Sequence, residues 1–167
     1  QPKYANKIKS ISLRYFNASG ADPDGEVGES HDPETHLIPK TIEVSRGLSK
    51  YLNVYGNDYD TPDGTCIRDY IHVTDIARAH ILALHFILKS KKSDVFNLGT
   101  GKGFSVNKII KEIERQSGKK IKIKIIKRRN GDPAILIANA DKAKKILKWE
   151  PKYSSIRQII NTALSWK

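Results

Sequence analysis

Methionine is absent from all 167 positions, Gln standing at position 1, and cysteine occurs once, at Cys66. Residues 1–10 also lack the charged, apolar and small-residue succession of a secretory leader. With no initiator in place, the chain is expected to be a stretch of a longer one. A single thiol excludes an intrachain disulfide, and the expected compartment is the reducing cytoplasm. Cys66 could act as a nucleophile, but a small thiol beside Ile67 reads first as a packing residue. Long apolar runs are lacking as well. Ile81 to Leu88 is interrupted by His85 and ends on Lys89, well short of the ~18 residues of a membrane span, so no membrane partner is expected. With 11 Gly and 7 Pro the chain is neither collagen-like nor of low complexity. It has no G-x-S-x-G elbow and no internal repeat.

Acidic side chains are the minority charge, 18 against 30 Lys and Arg, for a net charge of +12. Such an excess raises the question of a polyanion, and Lys119 to Arg129 is the densest basic stretch. Within it Ile121, Ile123 and Ile125 alternate with Lys122 and Lys124, the period of a strand with one buried and one solvated face. No aromatic residue interleaves along the sequence there, as a base-stacking platform requires, so nucleic acid is not the expected partner. A basic polyanion-binding module stands as the alternative from another functional class.

The 38% apolar content supports one sizeable core. Strands are predicted at Ile11–Phe16, Leu52–Tyr55, Ile67–Val73, Val95–Leu98 and Ile121–Ile126. A helix is predicted over Leu37–Lys50. Another is capped by Thr74 and runs to Lys89, with an apolar face of Ile76, Ala77, Ala79, Ala83, Leu84 and Leu88. A third opens at Ser105, repeats Val106, Ile109, Ile110 and Ile113, and closes at Gly118. Two more are predicted near Asp141–Leu147 and Ser155–Leu164. Asn17 to Pro39 reads as one long loop. This alternation predicts an α/β arrangement.

Chemistry concentrates in loops. Arg68-Asp69-Tyr70 and Arg128-Arg129-Asn130-Gly131-Asp132-Pro133 combine turn residues with arginine, whose planar fork meets phosphate bidentately, and with an acid able to accept from a sugar hydroxyl. Each also fits a solvated surface charge or a plain turn. Asn17, past a strand end, suits either a ligand contact or an Asx turn. Tyr55 suits either stacking on a flat base or ending a strand in the core. Gly99-x-Gly101-x-Gly103 misses the third glycine of a dinucleotide fingerprint, Phe104 standing there, and reads as a structural loop. The five histidines show no spacing that signals a metal, and His31 is expected to have no second donor near it.

Leu13-Arg-Tyr-Phe-Asn-Ala-Ser-Gly-Ala21, Leu37-Ile-Pro39, Val54-Tyr-Gly-Asn-Asp-Tyr59 and Asp63-Gly-Thr-Cys-Ile-Arg-Asp-Tyr-Ile-His-Val-Thr-Asp75 can be read together. With Phe96-Asn-Leu-Gly99, Arg128-Arg-Asn-Gly-Asp-Pro-Ala134 and Lys142-Ala143 to Trp149, they resemble the C-terminal part of the UDP-glucose 4-epimerases, of the extended short-chain dehydrogenase/reductase superfamily. The resemblance implies that residues 1–167 are the UDP-sugar-binding C-terminal region of a Rossmann-type fold, completed by an upstream half that binds most of the NAD. It implies interconversion of UDP-glucose and UDP-galactose through a 4-keto sugar, and a full-length homodimer. Carried over by position, Tyr15 and Phe16 would lie beside the nicotinamide. Asn17, His36 and Leu37 would line the sugar-diphosphate pocket, and Asn53, Val54 and Tyr55 would hold uracil. Arg68 and Arg129 would clamp the diphosphate on a loop shaped by Asn130 and Gly131, Asp132 would accept from the ribose, and Leu136 would close the sugar pocket. A UDP-N-acetylglucosamine 4-epimerase is the alternative within this class. No Tyr here has Lys four residues on, so the resemblance also implies that these residues do not catalyse alone.

Overall fold

The computed structural model describes residues 8–166. In chain order the elements are β1 (Ile11–Tyr15), β2 (Asn17–Ser19), α1 (Leu37–Ser45), β3 (Leu52–Tyr55), β4 (Ile67–His72), α2 (Val73–Ser90), β5 (Asp94–Leu98), β6 (Gly103–Ser105), α3 (Val106–Ser117), β7 (Ile123–Ile126), β8 (Ile135–Leu136), a π-helical turn (Ala143–Leu147) and α4 (Ile156–Ser165). Strands and helices alternate, as expected of an α/β chain. β1 runs parallel to β5, and β3 runs parallel to β7. β4 carries β2 and β8 in parallel and β6 antiparallel. No helix among the described residues is long and apolar enough to cross a membrane.

Helical periodicity determines what packs where. On α3 the spacing of Ile109, Ile110 and Ile113 puts all three in the interior, Ile109 and Ile113 against Ile38 and Ile42 of α1 and Ile159 and Ile160 of α4. Fully burying each such side chain contributes about 1.5–3 kcal/mol. Ser105 Oγ accepts from Lys108 N at 3.2 Å, and Gly118, at φ 67°, ends the helix in the left-handed region. A second core joins α2 to β5 through Ile76, Ala79, Ala83, Phe96 and Leu98, with Trp149 fully buried beneath. The Trp149 indole donates to Asp75 O at 2.9 Å, so its one polar atom is satisfied there.

Four expectations need correction. The α2 cap is His72, not Thr74: the His72 ring accepts from Thr74 N at 3.1 Å. Leu84 and Leu88 lie outside the buried stripe of α2, at 52% and 57% exposure, because the stripe facing β1 and β5 follows Ile76, Ala79 and Ala83. Of the alternating isoleucines before and in β7 only Ile121 is buried, while Ile123 and Ile125 are exposed. That strand pairs with β3 at the margin of the fold, where the core of Val44, Leu52, Val54 and Ile110 does not extend over it. The loop after Phe16 is shorter than expected, since residues 17–19 form a strand on β4.

The buried His72 is held neutral by its partners. Its Nδ1 accepts the Thr74 amide, which leaves Nε2 as the donor toward Thr162 Oγ1 at 3.0 Å. Burial holds its pKa below the ordinary value, against the opposing pull of the Asp75 and Asp22 carboxylates. A base depressed in the folded state binds protons first in the unfolded chain. Stability is therefore complete above the unfolded pKa of about 6.5 and declines as pH falls toward the folded value. Melting temperature is expected to drop between pH 7 and pH 5, and His72→Asn, which keeps a cap acceptor, is expected to flatten that slope. Equal slopes in both proteins would assign the acid sensitivity elsewhere.

Candidate functional site

The site begins with strand pairing. β3 and β7 are parallel, Tyr55 lies opposite Ile126, and Gly56 N donates to Ile126 O at 2.8 Å. Both chains thus leave one edge together, and residues 56–66 and 127–134 form adjacent loops at the carboxyl ends of parallel strands, where such sheets receive ligands. A Cβ at Gly56 would lie 2.5 Å from the Arg128 side chain, and its φ is +87°, so the close approach of the loops requires glycine.

Arginines then meet tyrosines across the pair. The Arg129 guanidinium stands 3.9 Å from the Tyr55 ring centre, and that of Arg128 stands 4.2 Å from the ring centre of Tyr59. Arg128 Nε donates to Asp58 Oδ1 at 2.6 Å and holds the Asp58 carboxyl below its ordinary pKa. Lys124 lies 5.5 Å from the Tyr51 ring centre. Aromatic residues therefore do accompany the basic stretch, contributed by another part of the chain, which corrects the expectation drawn from sequence adjacency. Tyr55 is not a core residue; it is 37% exposed with Arg129 on its face.

Arg68 and Asp132, predicted in separate roles, bond to each other. Arg68 donates through one terminal nitrogen to Asp132 Oδ1 at 2.5 Å and to Pro133 O at 2.7 Å, and through the other to Ile67 O at 2.6 Å. These bonds engage three of its five N–H donors and fix the plane of the fork. Asp132 also accepts from the buried Tyr59 hydroxyl at 3.3 Å. Burial, and after it the Asp132 charge, raises the Tyr59 pKa and keeps this phenol a neutral donor. Burial likewise pushes the Cys66 thiol up despite nearby Arg68 and Arg129, which suits packing better than nucleophilic chemistry. Leu136, 45% exposed, is the register partner of Arg68 across β4 and β8.

The remaining predicted residues occupy three places. Asn53 and Val54 lie on β3, Asn53 exposed and Val54 turned into the core, while Asn130 and Gly131 (φ 76°) form the exposed turn before Asp132. Asn17 makes no Asx turn; its amide donates to Asp69 O at 2.8 Å, tying β2 to the strand that bears Arg68. Tyr15 ends β1 at 49% exposure with the half-buried Phe16 beyond it, on a different sheet from Arg68. His36 caps α1 through its backbone and Leu37 begins that helix. The His36 ring meets Glu34, Glu29 and His31, so His31 does have donors close by, against expectation.

Sequence reasoning gave no role to Tyr59, and it named Arg128 and Asp69 only as members of their loop motifs; the largest addition from the structure is Asp69. The last is fully buried and accepts from Thr100 N, Thr100 Oγ1, Gly101 N and Ala138 N. It is the anchor around which the Gly99–Gly101 loop wraps. A Cβ at Gly99 would sit 2.7 Å from Asp69 Oδ2, which is why glycine stands there. An acid beside Arg68 in the sequence was the available signal.

Residues 3–162 match the family described as GDP-mannose 4,6 dehydratase. The chain is 50% identical over 159 residues to the UDP-glucose 4-epimerase of Halalkalibacterium halodurans, covering 95% of this chain and 48% of that protein. Among solved structures it resembles the UDP-glucose 4-epimerase from Brucella ovis in complex with NAD, at TM-score 0.90 and 50% identity, over 96% of this chain and 50% of the other. It also resembles the enzyme from Bifidobacterium longum in complex with NAD+ and UDP, at TM-score 0.89 and 41% identity, over 97% and 48%. The chain spans about half the length of the curated relatives it matches.

Proposed function

The chain belongs to the GDP-mannose 4,6 dehydratase family of extended short-chain dehydrogenase/reductase domains, and on that premise we propose that residues 1–167 are the UDP-sugar-binding C-terminal region of a UDP-glucose 4-epimerase. The observation that carries this reading is the Arg68–Asp132–Tyr59 network beside the Arg129–Tyr55 stack, on loops launched together by β3 and β7. A fixed guanidinium fork with donors to spare suits a diphosphate, and the flat ring of Tyr55 beside the exposed Asn53 suits uracil. In this reading Asp132 meets the ribose, Asn130 and Gly131 shape the turn, and Asn17, His36, Leu37 and Leu136 border the sugar.

Epimerisation at C4 requires the hexose to present both faces in turn while the nucleotide stays fixed. Binding energy is best placed on UDP, and the concentration of charged and aromatic groups on these loops does that. NAD, when bound, supplies the hydride acceptor and donor. Tyr15 and Phe16 fit one wall of its site, an apolar surface at the carboxyl end of the parallel strand β1. No Tyr among these residues is followed four positions on by Lys, so in this reading they grip and orient the substrate. The single Cys66 accords with the cytoplasm as the working compartment, and a homodimer is the expected assembly of the whole enzyme.

Full-length protein supplied with UDP-galactose is expected to yield UDP-glucose, resolved by NMR of the sugar anomeric protons, with UDP as a competitive inhibitor. The isolated residues 1–167 are expected to give no product. Turnover by that piece, or a full-length protein that epimerises only N-acetylated sugars, would overturn the reading. Salt-sensitive binding to nucleic acid without competition by UDP would favour the polyanion module instead.

A further inference from the structure

We propose that Glu29, His31, Glu34 and His36 form a binding site for a divalent first-row metal ion of the zinc class. Their donor atoms, one per residue, all lie within 4.8 Å of one another. Four ligands at about 2.0–2.2 Å from a tetrahedral ion stand roughly 3.3–3.6 Å apart, so modest side-chain rotation, parting each Glu–His pair and drawing the two pairs together, brings the set to that spacing. Two imidazole nitrogens with two carboxylate oxygens match zinc and its neighbours, whereas magnesium and calcium favour all-oxygen surroundings.

The arrangement comes from two donor pairs facing each other across a bend. Glu29 and His31 precede Asp32-Pro33, and Glu34 and His36 follow it. Glu29 contacts His31 Nδ1, and His36 Nδ1 lies 2.8 Å from Glu34 and 3.8 Å from Glu29. The imidazole rings meet edge to face at 4.9 Å between centres. Each ring thus directs Nδ1 at carboxylate oxygen, where a cation can take the place of a proton.

Both carboxylates are already aimed by the backbone. Glu29 Oε1 accepts from Ser30 N and His31 N at 3.0 and 3.1 Å, and Glu34 Oε1 accepts from Thr35 N and His36 N at 2.6 Å each. Bonds of this kind orient metal ligands before the metal arrives. The loop itself is pinned to the fold. The Trp166 indole donates to Glu29 O at 2.8 Å, and a Cβ at Gly28 would lie 2.2 Å from that ring. Arg46, which follows α1, holds Leu164 O and Trp166 O at 2.9 and 2.6 Å. The site therefore bridges the start of α1 and the end of α4.

The test is zinc binding by metal-stripped full-length protein, followed by calorimetry, with cobalt(II) substitution as the spectroscopic readout. One equivalent is expected to bind, and cobalt is expected to show the intense visible bands of a four-coordinate ion. His31→Ala and Glu29→Gln are expected to weaken zinc at least about 100-fold, beyond what outer partners contribute. His85→Ala, on the exposed side of α2, is expected to bind normally. Absence of zinc binding by folded wild type, or affinity unchanged in His31→Ala, overturns the proposal. Because the readout is metal rather than turnover, its failure is separate from failure of the epimerase reading.

Discussion

Arg68→Ala is expected to weaken UDP binding by the full-length enzyme roughly 30-fold to several thousand-fold, the ~2–5 kcal/mol typical of truncating one member of a buried, hydrogen-bonded charge pair. Two losses combine in that figure. The guanidinium no longer meets the diphosphate, and Asp132, which accepts from Arg68 at 2.5 Å, keeps only the longer bond from Tyr59. Arg68→Lys restores charge without the fork and is expected to recover only part of the affinity, because one ammonium cannot hold Asp132, Pro133 O and Ile67 O in a plane. Calorimetric titration with UDP measures both variants. A double-mutant cycle with Asp132→Ala is expected to be strongly non-additive, since each residue is the other's partner. A change below about threefold in Arg68→Ala would remove Arg68 from the binding site.

Asp69→Ala is expected to destabilise the protein by at least about 3 kcal/mol, because four neutral donors lose their acceptor and a buried donor left unsatisfied costs about 1–3 kcal/mol. Thr100 N and Thr100 Oγ1 donate to Oδ1 at 3.0 and 2.6 Å, and Gly101 N and Ala138 N donate to Oδ2 at 3.0 and 3.2 Å. Both oxygens serve as acceptors, so Asp69→Asn is expected to fail nearly as badly. Its amide nitrogen would face N–H donors. Urea unfolding measures the loss as a lower midpoint at unchanged m. A loss under about 1 kcal/mol would show that the Gly99–Gly101 loop is held by other contacts. The consequence extends to function, because Asp69 follows Arg68 on β4 and its carbonyl holds Asn17.

The elements with a local cause were legible. Ser105 and Gly118 delimit α3, and the spacing of Ile109, Ile110 and Ile113 selects its buried face, because helix geometry places those positions together whatever surrounds them. Leu52–Tyr55 was legible as a short strand between turns, and its alternating burial follows from the two-residue period of a strand. Burial of a strand was less so. Ile123 and Ile125 alternate like core residues, yet they lie beyond the helices that cover Leu52 and Val54, and alternation carries no information about what lies above a strand. The His72 cap escaped for a related reason: its ring is aimed by Thr162, ninety positions along the chain.

The candidate site divides in the same way. Residue types marked Arg68, Arg129, Asp132 and Tyr55 as candidates, since arginine forks and turn acids have their chemistry wherever they stand, but each also fitted a plain structural role, and only the family resemblance gave them expected places. That Arg68 grips Asp132, that Tyr59 supports it, that Tyr55 lies under Arg129, and that Glu29 and His31 face Glu34 and His36 were decided by tertiary structure alone. Side chains meet according to strand register and loop path, and these are set by the packing of segments far apart in sequence.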